Sequence, residues 1–184
     1  QAPCPSRATV STSTPWSDAV TPDDFRALLQ RFCAAAEAGD GEAFAACFTP
    51  DGLYHDYIYG DHQGRDSIAH MLTDLFRRDA GPDYRWQMFD PVCDGGLGYA
   101  WSLSSFTSLV PEFAGRFVVI DGMSRFELRD GLIADYRESV NGGVAMAQLG
   151  VAAPRIEKVL ARWGRQLRDL SATQAWLAEG KQPR

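Results

Sequence analysis

Along the chain, apolar residues first recur at helical spacing and later alternate as in strands. Thr21-Pro22-Asp23-Asp24 predicts a helix start: Thr21 caps, Pro22 suits the first turn, and the two aspartates sit at the positive helix end. Phe25, Leu28, Leu29, Phe32, Cys33 and Ala36 then fall on one helical face, and Gly39-Asp40-Gly41 breaks the helix. A short second helix follows over 42–47, then a turn through Pro50 and Gly52. The spacing predicts a strand over 53–59, with Tyr54, Asp56 and Ile58 on one face and His55, Tyr57 and Tyr59 on the other. A third helix over 65–76 carries Ile68, Met71, Leu72 and Leu75 on one stripe. From there the period is two. Strands are predicted over 85–92, 98–109, 115–128 and 132–140, separated by Asp94-Gly95-Gly96, by 111–115 and by Asp130-Gly131, which read as hairpin turns. One more helix opens near Pro154, with Ile156, Val159, Leu160, Trp163, Leu167 and Leu170 forming its apolar stripe. That helix packs on its own domain, or serves as a dimer contact or a lid over a pocket.

Helices followed by an antiparallel meander define an α+β domain. The organisation expected is a flexible arm over 1–20, rich in Ser, Thr and Pro, a folded domain over 21–150, and a helical extension over 151–184. Composition changes the picture only by exclusion. Of the 184 residues 45% are apolar and 23% charged, which suits one globular core. A net charge of −6 argues against nucleic acid and anionic membrane surfaces, which need a basic face. No apolar run approaches the roughly 20 residues of a membrane span. The N-terminal stretch lacks the basic and apolar regions of an intact signal peptide, so a cytoplasmic location is expected. Cys4, Cys33, Cys47 and Cys93 form no CxxC pair, and His55, His62 and His70 are too few to force a metal site. Neither metal nor cofactor is expected. Cys33 and Cys47 read as small core residues, His62 and His70 as solvent-exposed.

Two stretches carry a family resemblance. One runs from Leu28-Leu29-Gln30-Arg31-Phe32 through Glu37-Ala38-Gly39-Asp40 and Phe48-Thr49-Pro50-Asp51-Gly52 to Gly64-Arg65-Asp66-Ser67-Ile68. The other is Ile120-Asp121-Gly122-Met123-Ser124-Arg125-Phe126, then Asp130-Gly131-Leu132-Ile133-Ala134-Asp135-Tyr136-Arg137-Glu138. In order and spacing they resemble the NTF2-like/SnoaL-like superfamily over roughly residues 21–150. The resemblance implies a cone: a curved antiparallel sheet wrapped around the long first helix, cystatin-like in outline, with a deep cavity at one end. The helix after residue 150 is extra to it. Such folds host enzymes, transport factors and binding modules, so the fold leaves function open.

Asp56 looks similar to the general-base Asp of the steroid isomerases in this superfamily, and Tyr54-His55-Asp56 compares with a Tyr-x-Asn in the limonene-epoxide hydrolases. A carboxylate in an apolar cone loses hydration, so its pKa rises and it can take and return a proton. Glu138 falls where the epoxide hydrolases carry an Asp and could pair with Asp56 as acid to its base. Tyr54 completes the expected catalytic set. Glu37 resembles the carboxylate of the dehydratase branch. It joins Trp101, Ser105, Phe126 and Tyr136 as an expected substrate contact, and Phe106 reads as a further pocket wall. Arg125 points away if Ser124 and Phe126 face inward.

The family patterns also fail in places. The Tyr that donates to the enolate in steroid isomerases is Phe32 here, and their late-strand Asp falls near Val118. The Arg-x-Asp of the epoxide hydrolases has no counterpart in Leu103-Ser104-Ser105, and the dehydratase His is missing near Arg85-Trp86. The expectation is therefore a cofactor-independent lyase or isomerase acting on a small hydrophobic or aromatic molecule, for instance a lignin-derived diaryl compound, in a dimeric or trimeric homo-oligomer. The alternatives are an epoxide hydrolase and a non-catalytic ligand-binding or dimerisation module.

Overall fold

The five strands that the alternating pattern predicts join in one sheet with a sixth, short strand at Gly60–Gln63 that it does not predict. The computed structural model describes residues 20–180. Its strands are β1 (Phe48–Asp56), β2 (Gly60–Gln63), β3 (Arg85–Asp94), β4 (Leu97–Thr107), β5 (Phe117–Arg129) and β6 (Leu132–Val140), in spatial order β2-β1-β6-β5-β4-β3. The sheet is curved and unclosed, and with its helices it forms the α+β cone. One pairing departs from the expected antiparallel sheet. β1 runs parallel to β6, matching Phe48 with Ile133 and Tyr54 with Tyr136. Parallel neighbours need a long crossover, and here it is the whole chain from β2 to β5. His55 braces this junction, one ring nitrogen 2.7 Å from Asp61 of β2 and the other 3.0 Å from Asp135 of β6.

α1 (Pro22–Ala38) starts as predicted. The backbone N–H of Asp24 donates to the Thr21 hydroxyl at 3.2 Å, and the Asp24 carboxylate accepts in return. Its apolar face, Phe25, Leu28, Leu29, Phe32, Cys33 and Ala36, is buried against the sheet. Phe32 lies at the centre of an aromatic core, its ring 4.7 Å from Phe44, 4.8 Å from Trp86 and 5.4 Å from Tyr136. Gly98 of β4 lets the Phe25 ring approach its backbone: a Cβ there would stand 2.4 Å from the ring. α2 (Gly41–Ala46) leads into β1, and the β5–β6 hairpin turns on Asp130 and Gly131, both at positive φ, as the Asp-Gly pair predicts.

Four expectations are corrected. The strand expected over 53–59 ends at Asp56, whose carboxylate accepts from the N–H groups of Ile58 (2.6 Å) and Tyr59 (2.7 Å) and turns the chain into β2. The third helix is composite: α3 (Arg65–His70), a π-helical stretch (Met71–Phe76) and α4 (Arg77–Asp79). His62 is buried beneath α3, with Nδ1 3.2 Å from the Ser67 hydroxyl; His70 is exposed. Beyond β6 the single expected helix is three: α5 (Gly142–Gln148), α6 (Ala153–Asp169) and α7 (Ser171–Ala178). The arm expected over 1–20 lies outside the described residues, Cys4 included, except Val20, which is buried and bridges to Gly95. Cys33 and Cys47 are buried free thiols. No helix among the described residues is long and apolar enough to cross a membrane.

Candidate active site

Curvature leaves a cavity of about 170 Å³ between the concave face of the sheet, the composite helix and α5. Each wall follows from a local pattern. β1 delivers Tyr54 and Asp56, two residues apart and so on one face. β4 delivers Ser102, Ser104 and Phe106, β5 Ile120, and β6 Glu138 and Val140. The π-helical stretch contributes Met71, Leu72 and Phe76; its wider turn aligns residues five apart, such as Met71 and Phe76. Tyr84 and Trp86 close the side toward α1. Because the Asp56 turn replaces extended strand, Tyr57, Ile58 and Tyr59 all line the cavity, with the exposed Tyr57 and Ile58 at its rim.

Three carboxylates line this largely apolar space, Asp56, Glu138 and, paired with Arg78 and Tyr59, Asp79. Burial raises the pKa of Asp56 against the opposing pull of the Tyr59 and Ile58 amides and of His62. Glu138 is pushed up to about 7, first by burial and then by the nearby Asp56 charge, against the stabilising hydrogen bond from Tyr136. The Tyr136 hydroxyl donates to Glu138 at 3.0 Å and contacts the Ser124 hydroxyl at 3.1 Å, a buried chain behind the cavity wall. Burial, followed by the charge of Glu138, holds Tyr54, Tyr84 and Tyr136 as neutral phenols well above their ordinary range. Tyr59 donates to Asp79 at 2.8 Å on the far side of the cavity. No Lys, Arg or His is among the described residues that line it. Near neutrality Asp56 and Glu138 can thus exist as one carboxylate and one carboxylic acid, flanked by phenol donors, which is the equipment for moving a proton.

The residues expected at the site divide. Tyr54, Asp56 and Glu138 line one cavity, with Phe106. Tyr136 stands directly behind Glu138. Glu37, Trp101, Ser105 and Phe126 do not reach it. Glu37 accepts from the backbone N–H of Trp86 at 2.8 Å and so ties α1 to β3. Trp101 is on the opposite face of β4, 39% exposed and packed 5.1 Å from Phe89. Ser105 shares its parity; with no bulge in the β4–β5 pairing, Phe106 inside requires 101 and 105 outside. Phe126 is core, 5.3 Å from Phe25 and 5.0 Å from Tyr136. Arg125 does point away and pairs with Glu127. The sequence reading missed Tyr84, Trp86, Ser102 and Ser104. Strand alternation from Phe106 would have found the two serines, and nothing local marks Tyr84.

A curved sheet closed by helices around a carboxylate-bearing apolar cavity defines a class of cone-shaped α+β proteins. Residues 29–136 match the model of the SnoaL-like domain, and the chain belongs to that family. No curated protein sequence matches it. Among solved structures it is similar to TsrD from Streptomyces laurentii (18% identity, TM-score 0.62, covering 72% of this chain and 98% of that one). It is also similar to a candidate polyketide cyclase from Xanthomonas campestris pv. campestris (23%, 0.57, 69% and 97%) and to an LEH-like epoxide hydrolase from M. tuberculosis (16%, 0.56, 69% and 90%). At these identities the likeness is one of fold.

Proposed function

We propose that this protein is a cofactor-independent acid–base enzyme of the isomerase or lyase type, with Asp56 as the base and Glu138 as the acid. The observation that carries the reading is the Asp56–Glu138 pair, sharing one apolar cavity in which burial raises both pKa values and the charge of Asp56 raises that of Glu138 further. The Asp56 carboxylate takes a proton from a carbon next to a carbonyl. The C–H electron pair forms a C=C bond while the carbonyl π pair moves onto the oxygen, which receives the Glu138 proton, and Tyr54 or Tyr84 donates to that oxygen as its charge grows. Return of a proton to a carbon completes an isomerisation, and departure of a β-substituent completes an elimination.

The lining supports a neutral ligand, since an anion would meet Asp56, Asp79 and Glu138 and no cation among the described lining residues. Size supports a single ring: a cavity of about 150 Å³ accommodates benzene, and this one holds about 170 Å³. A diaryl compound needs more room. The absence of Arg from the described lining residues weighs against the epoxide-hydrolase alternative, and an unplugged cavity reached by Asp56 weighs against the non-catalytic one.

The test is proton exchange of phenylacetone, a neutral one-ring ketone, followed by NMR in D2O. The wild-type protein is expected to accelerate deuterium entry beside the carbonyl, and Asp56→Asn to lose at least 100-fold of that acceleration while keeping its denaturation midpoint within a small margin. Equal rates for the two proteins would remove Asp56 as the base.

A further inference from the structure

The end wall of the cavity comes from outside the family match, which stops at residue 136. α5 opens directly after β6, with Asn141 accepting from the Val144 N–H at 3.2 Å. Gly142, Ala145, Met146 and Leu149 fall at helical spacing on the face that lines the cavity. Gln148 fastens α5 to β5 in both directions: its amide donates to the Val119 carbonyl at 2.8 Å and accepts from the Val119 N–H at 3.0 Å. α6 then crosses behind, tethered by Arg155, whose guanidinium meets both Glu112 oxygens at 2.7 and 2.8 Å.

From α6 one side chain, Trp163, reaches the cavity. Its ring stands 5.6 Å from that of Tyr57 at the rim and packs on Gly142, where a Cβ would lie 2.4 Å from the indole. Its N–H is buried without an acceptor among the described residues. An unpaired buried donor loses its hydration without a compensating bond, so this placement opposes stability. A function for the ring at that spot accounts for it.

We infer that Trp163 determines ligand size, confining the cavity to one aromatic ring and excluding a second. This rests on the cavity being the ligand site proposed above. Two substitutions move the ring independently. Trp163→Ala removes it. Gly142→Ala keeps the indole but displaces it, at a backbone position an alanine can adopt.

Binding is measured by calorimetry with phenylacetone and its 4-phenyl derivative, which differ by one ring. The wild-type protein is expected to prefer the one-ring ketone at least tenfold. Both variants are expected to erase or reverse that preference by binding the two-ring ketone more tightly than the wild-type protein does, with no loss for the one-ring ketone beyond twofold. Loss of fold would weaken both ligands together and could not invert their order. An unchanged ratio in Trp163→Ala, or a wild-type protein indifferent to the second ring, would overturn the inference. Because calorimetry needs no turnover, size preference without proton exchange would sink the acid–base reading alone. Exchange without size preference would sink the role of Trp163 alone.

Discussion

Tyr136 occupies no part of the cavity surface, yet it controls the residue that does. Its hydroxyl donates to Glu138 and thereby favours the charged carboxylate, opposing burial and Asp56. Removing that donor in Tyr136→Phe should raise the Glu138 pKa above its value of about 7. If Glu138 is the acid, activity falls as pH rises through that pKa, so the basic limb of the phenylacetone exchange profile should move to higher pH in Tyr136→Phe. Glu138→Gln should have no such limb at all. A basic limb that stays in place in both variants would assign it to another group. Asp56 and Glu138 were singled out by the family resemblance, with alternation placing them on the strand faces of Tyr54 and Tyr136, and both line the cavity. Tyr84 was not singled out, since a tyrosine following a Gly-Pro-Asp turn has no pattern to place it.

At the scale of elements, period-two alternation located β3 to β6 within a few residues, and the Asp-Gly turn set the β5–β6 register. It failed where side chains redirect the backbone. Asp56 captures two amides and ends β1 early, which no alternation predicts. The same arithmetic, applied consistently, separates Trp101 from Phe106 by an odd number and puts them on opposite faces; the aromatic character of Trp101 was a weaker guide than its parity. α5 was missed because Gly-Gly opens it and its apolar face is short, and its position is set by Gln148 reaching β5, a tertiary contact. The contact between α1 and β4 offers a measurable test. Gly98→Ala would press a methyl into the buried Phe25 ring and should cost about 1–3 kcal/mol, read as a lowered urea midpoint with unchanged slope. A midpoint equal to the wild-type value would mean that α1 can slide to make room.

For the whole molecule, the cavity has a stability consequence. Glu138 titrates near 7 in the folded chain and near its ordinary 4.5 when exposed by unfolding. A carboxylate whose folded pKa is raised favours the folded state fully below 4.5, and that contribution disappears as pH climbs to 7. The size is roughly 3 kcal/mol. Glu138→Gln lacks the term, so the stability difference between variant and wild type should grow in the variant's favour between pH 4.5 and 7, measured by urea denaturation at a series of pH values. A constant difference would place Glu138 in contact with water. A site built against stability in this way is one reason to expect it to be used.

The parallel seam between β1 and β6 has a further implication for biosynthesis. Tyr54 and its neighbour Tyr136 are separated by most of the domain, so the central register cannot close on the ribosome until the final strand has left the exit tunnel. Until then β1 offers an unpaired edge to any other nascent chain, and newly made copies depend on that last segment arriving before a stranger does.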